Sequence, residues 1–345
     1  MSGVQISGGP LLPAARRVHS FADRDTWIKG RRIGLGSSDV AAILGVSPYR
    51  SGWDIYLERV LDRRPPPDAR REKYYARGHR EEPRILEDYA DEVGAAVMPL
   101  QRVIVEGPAP LAVSPDSFVA LDGEWGLGEC KTDRTFAWGP SGTVIERWSP
   151  AARELVREDH AAQVYSQLIA TGLPFGVLAV RRDMDDLRHF VMIADERLQT
   201  RMLERLSAWW QRHVVEGIAP ENDGSEACAK AKERLYQGGA REKKTRPATP
   251  AEVAMARELV AAKVEKQRHE DRERRLRSDL ADAIGDGYGI AWDGPGGVSK
   301  ALYIDVAGRE LVDADKLRRE HPDVFTAVVK HTEPRREVRL YIQEK

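Results

Sequence analysis

The sequence predicts one α/β or α+β domain, followed by a charged helical segment and a small α+β module. Three observations predict it. Apolar spacing is helical up to about Gly94, alternates in short strand-like runs from Ala95 to Lys131, and returns to helices and strands as far as Gly217. Beyond Gly217 the chain turns charged, and Thr249-Pro250-Ala251-Glu252 opens a helix with an N-cap, a proline at N1 and a capping-box acid at N3. The 345 residues, at roughly 150 per domain, allow about two domains.

Taken in order, Met1 to about Arg17 is Gly/Pro-rich and expected to be loose, giving a flexible N-terminus over 1–19. Ser20 with Asp23, and Ser51 with Asp54, read as N-caps with their N3 acids. Between them a glycine-rich turn, Arg31 to Asp39, leads into a short helix Val40–Leu44 closed by Gly45. Pro65-Pro66-Pro67 breaks the chain. A helix then runs from Gly78 to Gly94, which Pro83 permits only if it lies in the first turn. Val97–Val105, Leu111–Val113, Phe118–Leu121 and Gly126–Lys131 read as a strand meander. A helical region from Ser149 to Thr171 follows, then strands Phe175–Val180 and His189–Ile193. A last helix, Asp195 to Val215, carries Leu198, Met202, Leu206, Trp209 and His213 on one face.

These signals place a domain at 20–217, a charged linker at 218–248, a charged helix at 249–285 and a small module at 286–345. The helix has a polar middle between Glu265 and Arg275, and the module has strand-like pieces at Ala301–Val306 and Glu337–Ile342 around a helix near Ala314–Glu320. A solvated helix with alternating charge is one reading of 249–285, and an arm for DNA or a partner is the other.

Composition narrows the function. Lys and Arg number 54 against 55 Asp and Glu, so nucleic-acid binding must come from local basic patches. Two cysteines, Cys130 and Cys228, cannot build a disulfide scaffold or a four-cysteine cluster. No apolar run approaches the ~20 residues of a membrane span, which points to a soluble, cytoplasmic protein.

The strongest chemical signal is Ser114-Pro115-Asp116 followed across a turn by Glu129-Cys130-Lys131. Alternation along a strand puts Glu129 and Lys131 on one side and Cys130 on the other. A neighbouring ladder would bring Asp116 beside Glu129. Two carboxylates and an ammonium suit a hard divalent cation, Mg²⁺ or Mn²⁺, and a phosphate. In a chain that is 32% charged, Glu-x-Lys also arises by chance, as at Glu242-Lys243-Lys244. Glu82 shares a helical stripe with Leu86, Tyr89 and Val93, where a carboxylate is either an acid decorating the helix start or one that a metal or an Arg pairs with. His160, Gln163 and Gln167 form a polar row on an otherwise apolar helix, either a solvent face or amides directed at phosphate or water. Arg31 and Arg32 with Ser37 and Ser38, at a turn before a helix, suit a terminal phosphate or a simple capped turn.

Ile33-Gly34-Leu35-Gly36-Ser37-Ser38-Asp39, Leu44-Gly45-Val46-Ser47-Pro48-Tyr49, Gly78-x-x-x-Glu82-Pro83, Ser114-Pro115-Asp116, Glu129-x-Lys131 and Ala162-Gln163-Val164-Tyr165-x-Gln167 occur in an order that resembles the YqaJ-like viral recombinase family, the phage lambda exonuclease-like branch of the PD-(D/E)xK nucleases. The resemblance covers about Trp27 to Val215. It implies a PD-(D/E)xK restriction-endonuclease-like core, a central mixed sheet flanked by helices, and Mg²⁺-dependent hydrolysis of double-stranded DNA ends, 5′ to 3′, in a phage or prophage recombination system. An endonuclease or nickase, or a non-catalytic DNA-binding protein on the same fold, is the alternative. By the same resemblance Asp116, Glu129, the Cys130 carbonyl and Glu82 would hold metal. Lys131 would activate water and steady the phosphate, Gln163 would complete the site, and Arg31 or Arg32 with Ser38 would hold the 5′-phosphate. A single-strand annealing protein, a ring of three subunits and the bacterial host cytosol are implied too, and an iron–sulfur cluster is not. Ser117 departs from the glycine that commonly follows Pro-Asp, and His160 from a residue that is often aromatic.

Overall fold

The computed structural model describes residues 3–65, 69–183, 185–236, 246–294, 297–302 and 314–324. The chain divides into two compact units, Met1–Gln237 and Gly238–Lys345. The first unit opens with strands β1 (Gly3–Gln5), β2 (Leu11–Pro13) and β3 (Arg17–Ser20) and helices α1 (Arg24–Gly30), α2 (Ser37–Ile43), α3 (Gly52–Arg59) and α4 (Ala69–Val93). It continues through β4 (Ala96–Pro99), β5 (Val103–Glu106), β6 (Ala112–Val113), β7 (Ser117–Leu121), β8 (Glu124–Thr132) and β9 (Thr143–Ile145). Helices α5 (Pro150–Leu155) and α6 (Glu158–Thr171), strands β10 (Phe175–Asp183) and β11 (Asp186–Ile193), and helices α7 (Glu196–Trp210) and α8 (Glu226–Tyr236) complete it.

A six-stranded sheet, in the order β4-β7-β8-β10-β11-β9, is the centre of the unit. It is mixed: β8 pairs parallel with β10 and β9 parallel with β11, and the other ladders are antiparallel. Strand alternation sorts the two faces of β8. Leu127 joins the main core with Val164 and Leu168 of α6, while Cys130 joins Ile85 and Leu86 of α4 on the opposite face. Tyr89, one further turn along α4, is buried against Val119, Phe175 and Val177. The sheet is thus flanked by helices on both faces, the predicted α/β class.

Several expectations are corrected. The N-terminus is not loose: β1 and β2 pair, Leu12 is fully buried in the main core, and β3 pairs with β5. Its Gly and Pro residues make turns between strands rather than a tail. Ser20 ends β3, and Asp23 is the N-cap of α1, accepting from Thr26 N at 2.8 Å. The single strand expected over Val97–Val105 is two, because Arg102 turns with φ 54° and sends β5 into a separate three-stranded sheet with β3 and β6. Helix α4 begins well before Gly78 and contains Pro83 in its interior. The packing of Ile85, Leu86 and Tyr89 beyond the proline offsets the lost backbone bond. The linker expected over 218–248 contains α8, whose Cys228 and Ala231 are buried against Trp53, Tyr56 and Leu57 of α3, so the first unit runs past Gly217.

The second unit contains α9 (Pro250–Ile284), the hairpin β12 (Gly289–Gly294) with β13 (Gly297–Leu302), and α10 (Ala314–Glu320). Thr249 and Glu252 make the expected capping box, and α9 ends before Gly285 at φ 58°. None of the described side chains of α9 is buried. The basic run Arg241–Lys244, the piece 303–306 and the strand-like piece Glu337–Ile342 lie outside the described residues.

Candidate active site

Strand β8 carries Glu129 and Lys131 on the face that α6 covers. Glu129 is 4% exposed, and its Oε1 accepts from Lys131 Nζ. Its Oε2 accepts from Gln167 Nε2 at 2.7 Å. Asp116 stands just before β7, the strand beside β8, and its Oδ2 accepts from Cys130 N at 2.8 Å. The ladder that pairs Ser117 with Gly128 therefore brings Asp116 and Glu129 together, as their spacing predicts. Room for Ser117 comes from Gly128: a Cβ there would meet the Ser117 Oγ at 2.3 Å.

Electrostatics confirm the gathering of charge. Burial, then repulsion from Glu129 and with a smaller share from Glu82, pushes the Asp116 carboxyl well above its ordinary range. Burial opposes the Lys131 charge, but Glu129 and Asp116 outweigh it and raise that ammonium. The Cys130 thiol is pushed up by burial and by the same acids, so it is an inert side chain. Glu82, in the interior of α4, accepts from His79 Nδ1 at 3.1 Å and is close enough to act on Asp116.

Three carboxylates against one ammonium leave a negative excess that hard oxygen donors would share with a divalent cation. By charge and donor type the residues fit such an ion. Among the described residues, however, no three His, Cys, Asp or Glu side chains are gathered at metal-ligand spacing. Asp116 and Glu129 are instead held by a backbone N–H, Lys131 and Gln167.

The polar row of α6 divides. Gln167 is fully buried and reaches both Glu129 and, at 3.4 Å, Ser37 Oγ. Its Oε1 has no partner. Gln163, the glutamine expected to complete the site, is half-buried, and among the described residues the structure records no hydrogen bond from its side chain to the carboxylates. The glutamine on the cluster is one turn further along. His160 is stacked on Trp138, with ring centroids 5.8 Å apart and planes at 14°. Burial, then the Lys131 charge, lowers its pKa to about 3, so it is a neutral ring in the wall of the site.

Arg31 and Arg32 line a cavity of about 290 Å³ with Arg50, Arg59 and Arg64. Asp39 sits in its wall, accepting from Arg50 Nη1 at 2.8 Å and Arg59 Nη2 at 2.7 Å. Burial would raise this carboxyl, but Arg50, Arg59 and Arg31 outweigh it and hold it below its ordinary range. Five guanidinium groups face two lining carboxylates, Asp39 and Glu58, so the cavity is electropositive. Ser37 and Ser38 are in the first turn of α2 and do not line it. The Gly36 N–H, a candidate phosphate donor, is directed to Asp39 Oδ2 at 3.2 Å.

Sequence reasoning missed Arg50, Arg59, Arg64 and Asp39 as a group. A signal existed in Asp39, a carboxylate opening the apolar run Val40 to Ile43, which burial obliges to find cations. The cluster Asp133, Arg157 and Asp159 was missed as well. Arg157 donates to Asp133 Oδ2 at 2.6 Å and to both oxygens of Asp159 at 2.8 and 3.0 Å. It ties the end of β8 to the start of α6.

Residues 26–174 match the model of the YqaJ-like viral recombinase domain. The uncharacterized protein YqaJ of Bacillus subtilis strain 168 is 22% identical over 321 residues, covering 92% of this chain and 94% of that protein. The alkaline exonuclease LHK-Exo of Laribacter hongkongensis superposes at a TM-score of 0.42 and 19% identity, over 56% of this chain and 94% of its own. Its complex with dAMP superposes at 0.41 and 18%, with the same coverage.

Proposed function

We propose that this protein, whose residues 26–174 match the model of the YqaJ-like viral recombinase domain, is a Mg²⁺-dependent exonuclease acting on the ends of double-stranded DNA, 5′ to 3′, in a phage or prophage recombination system. The observation that carries the reading is the pairing of two sites in one unit: the Asp116/Glu129/Lys131 cluster, and a cavity lined by five arginines that suits a terminal phosphate. Ser37, bonded to Gln167, which is bonded to Glu129, connects the helix carrying Asp39 with the carboxylate cluster.

Asp116, Glu129, Glu82 and the Cys130 carbonyl would hold the cation, with Mn²⁺ as a substitute. When bound, it supplies positive charge that acidifies water and draws charge off the phosphate. Lys131, kept protonated by Glu129, donates to the phosphate oxygens as negative charge grows on them. Gln167 fixes the Glu129 carboxylate in one orientation. Arg31, Arg32, Arg50, Arg59 and Arg64 hold the terminal phosphate and set which bond is presented. A single-strand annealing partner and a ring of three subunits belong to the same proposal.

The test is a digest of end-labelled linear duplexes that differ only in their 5′-phosphate. Degradation with Mg²⁺ that EDTA stops, faster on phosphorylated ends and absent on closed circles, is expected. Equal cutting of closed circular DNA would make the protein an endonuclease, and unchanged DNA after long incubation with Mn²⁺ would remove the nuclease reading.

A further inference from the structure

We propose that Tyr49 is a stacking platform for the terminal nucleobase of the strand whose 5′-phosphate enters the arginine cavity. The proposal rests on the reading of that cavity as a phosphate-end site and adds a second, uncharged contact to it.

Tyr49 lies in the turn between α2 and α3 and is 66% exposed. A single exposed ring means little by itself. Here the ring is held in place without being buried. Ser47 Oγ accepts the N–H groups of both Tyr49 and Arg50, each at 3.2 Å, which fixes the backbone of the turn. The Arg157 guanidinium carbon sits 5.9 Å from the ring centroid. Arg157 is itself immobilised by Asp133 and Asp159, so the ring rests against a fixed support. A ring ordered before binding loses little freedom when a flat partner arrives.

Its neighbours name the partner. Arg50, the next residue, lines the cavity and bonds Asp39 and Glu58, each at 2.8 Å. Arg157, against the ring, bonds Asp133, two residues beyond Lys131. One turn thus carries a phosphate-binding cation and an exposed ring side by side, with the ring supported from the end of the catalytic strand. A nucleotide carries its phosphate and its base on one sugar, so adjacent side chains of one turn suit its two ends. Stacking uses the π-face that every base has, which suits an enzyme that must accept any terminal sequence.

The experiment measures binding of short duplexes to the full chain in EDTA, with the terminal 5′ nucleotide either intact or abasic, and with or without its 5′-phosphate. Removing the terminal base should weaken binding to the wild type by about 5- to 100-fold. Tyr49→Ala should weaken binding of the intact duplex by a similar factor and should no longer respond to loss of the base. Tyr49→Trp should retain the response. Thermal melts check that each variant is folded. Undiminished sensitivity of Tyr49→Ala to the abasic end would overturn the platform. The phosphate arm reads the cavity separately: indifference to the 5′-phosphate would overturn the cavity reading while the coupling between Tyr49 and the base still stands or falls alone. Failure of the wild type to bind any duplex end would overturn both.

Discussion

Lys131 is the ammonium that faces Asp116 and Glu129 together. On the proposed mechanism, Lys131→Met removes phosphate stabilisation and no metal ligand. Cleavage should therefore fall by about 10²–10³-fold in kcat, with affinity for duplex ends kept. Single-turnover rates and end binding read the two separately. Gln167→Ala leaves the buried Glu129 Oε2 without its donor and should cost about 1–3 kcal/mol of stability by urea unfolding, along with activity. Gln163→Ala, at a half-buried position off the cluster, should cost less on both counts; the reverse order would move the site back to Gln163. His160 gives a pH signature. Its pKa falls from the ordinary histidine value to about 3 in the folded chain, so its contribution is complete above pH ~6.5 and is lost as pH falls toward 3. The His160 share should be a loss of about 1.4 kcal/mol per pH unit from 6.5 to 5, while the raised Asp116 carboxyl acts in the opposite sense over the same range. The share is therefore read as the difference between the wild type and His160→Phe, which keeps a ring against Trp138, in melts at pH 7.5 and 5. The lowered carboxyls of Asp39 and Asp133 act below pH ~4, outside this window.

At the scale of elements, each site stands where two or three short segments meet. The carboxylate cluster needs the ladder of β7 on β8 and the C-terminal half of α6, which carries Gln167. The cavity joins α2 to α3 through Asp39, Arg50 and Arg59. Helix α3 is in turn covered by α8, through Leu57, Trp53 and Tyr56 against Cys228 and Ala231. Leu57→Ala should destabilise the first unit by about 2–5 kcal/mol and weaken the cavity along with it. Urea unfolding with binding of phosphorylated ends checks both, and a cost below about 1 kcal/mol would show that α8 is not needed to hold α3.

For the whole molecule, the packing of α8 sets where the chain can be cut. A chain ending at Gln237 should fold and cleave short duplexes with Mg²⁺, whereas one ending at Gly217 exposes Trp53, Tyr56 and Leu57. Of the eight Lys and Arg of α9, three are paired inside the helix: Lys266 with Glu270, Arg274 with Asp271, and Arg277 with Glu273. Arg257, Lys263, Arg268, Arg272 and Arg275 make no ion pair among the described residues and are exposed, so the helix has cations to offer phosphate. Removing residues 238–345 should make the dependence of log affinity on log salt less steep by about one or more. An unchanged slope would leave α9 without a part in DNA binding.

The sequence by itself determined the strongly local features. Capping boxes at Ser51 and Thr249, the buried stripe of α7 and the opposite faces of Glu129 and Cys130 follow from spacings of a few residues, where one element's geometry decides. Asp116 beside Glu129 was legible too, because a short turn and one antiparallel ladder separate them. What spans many residues was not. Gln167 and not Gln163 meets Glu129 because the rotation of α6 on the sheet selects which of two amides one turn apart points inward. Arg50, Arg59 and Arg64 become one cavity only when α2 and α3 fold around the buried Asp39. Helix α8 reads as a charged linker until Leu57 and Trp53 give its few small apolar residues something to cover. In each case a contact between distant segments, which no local period encodes, decided between two readings that the residues alone allow.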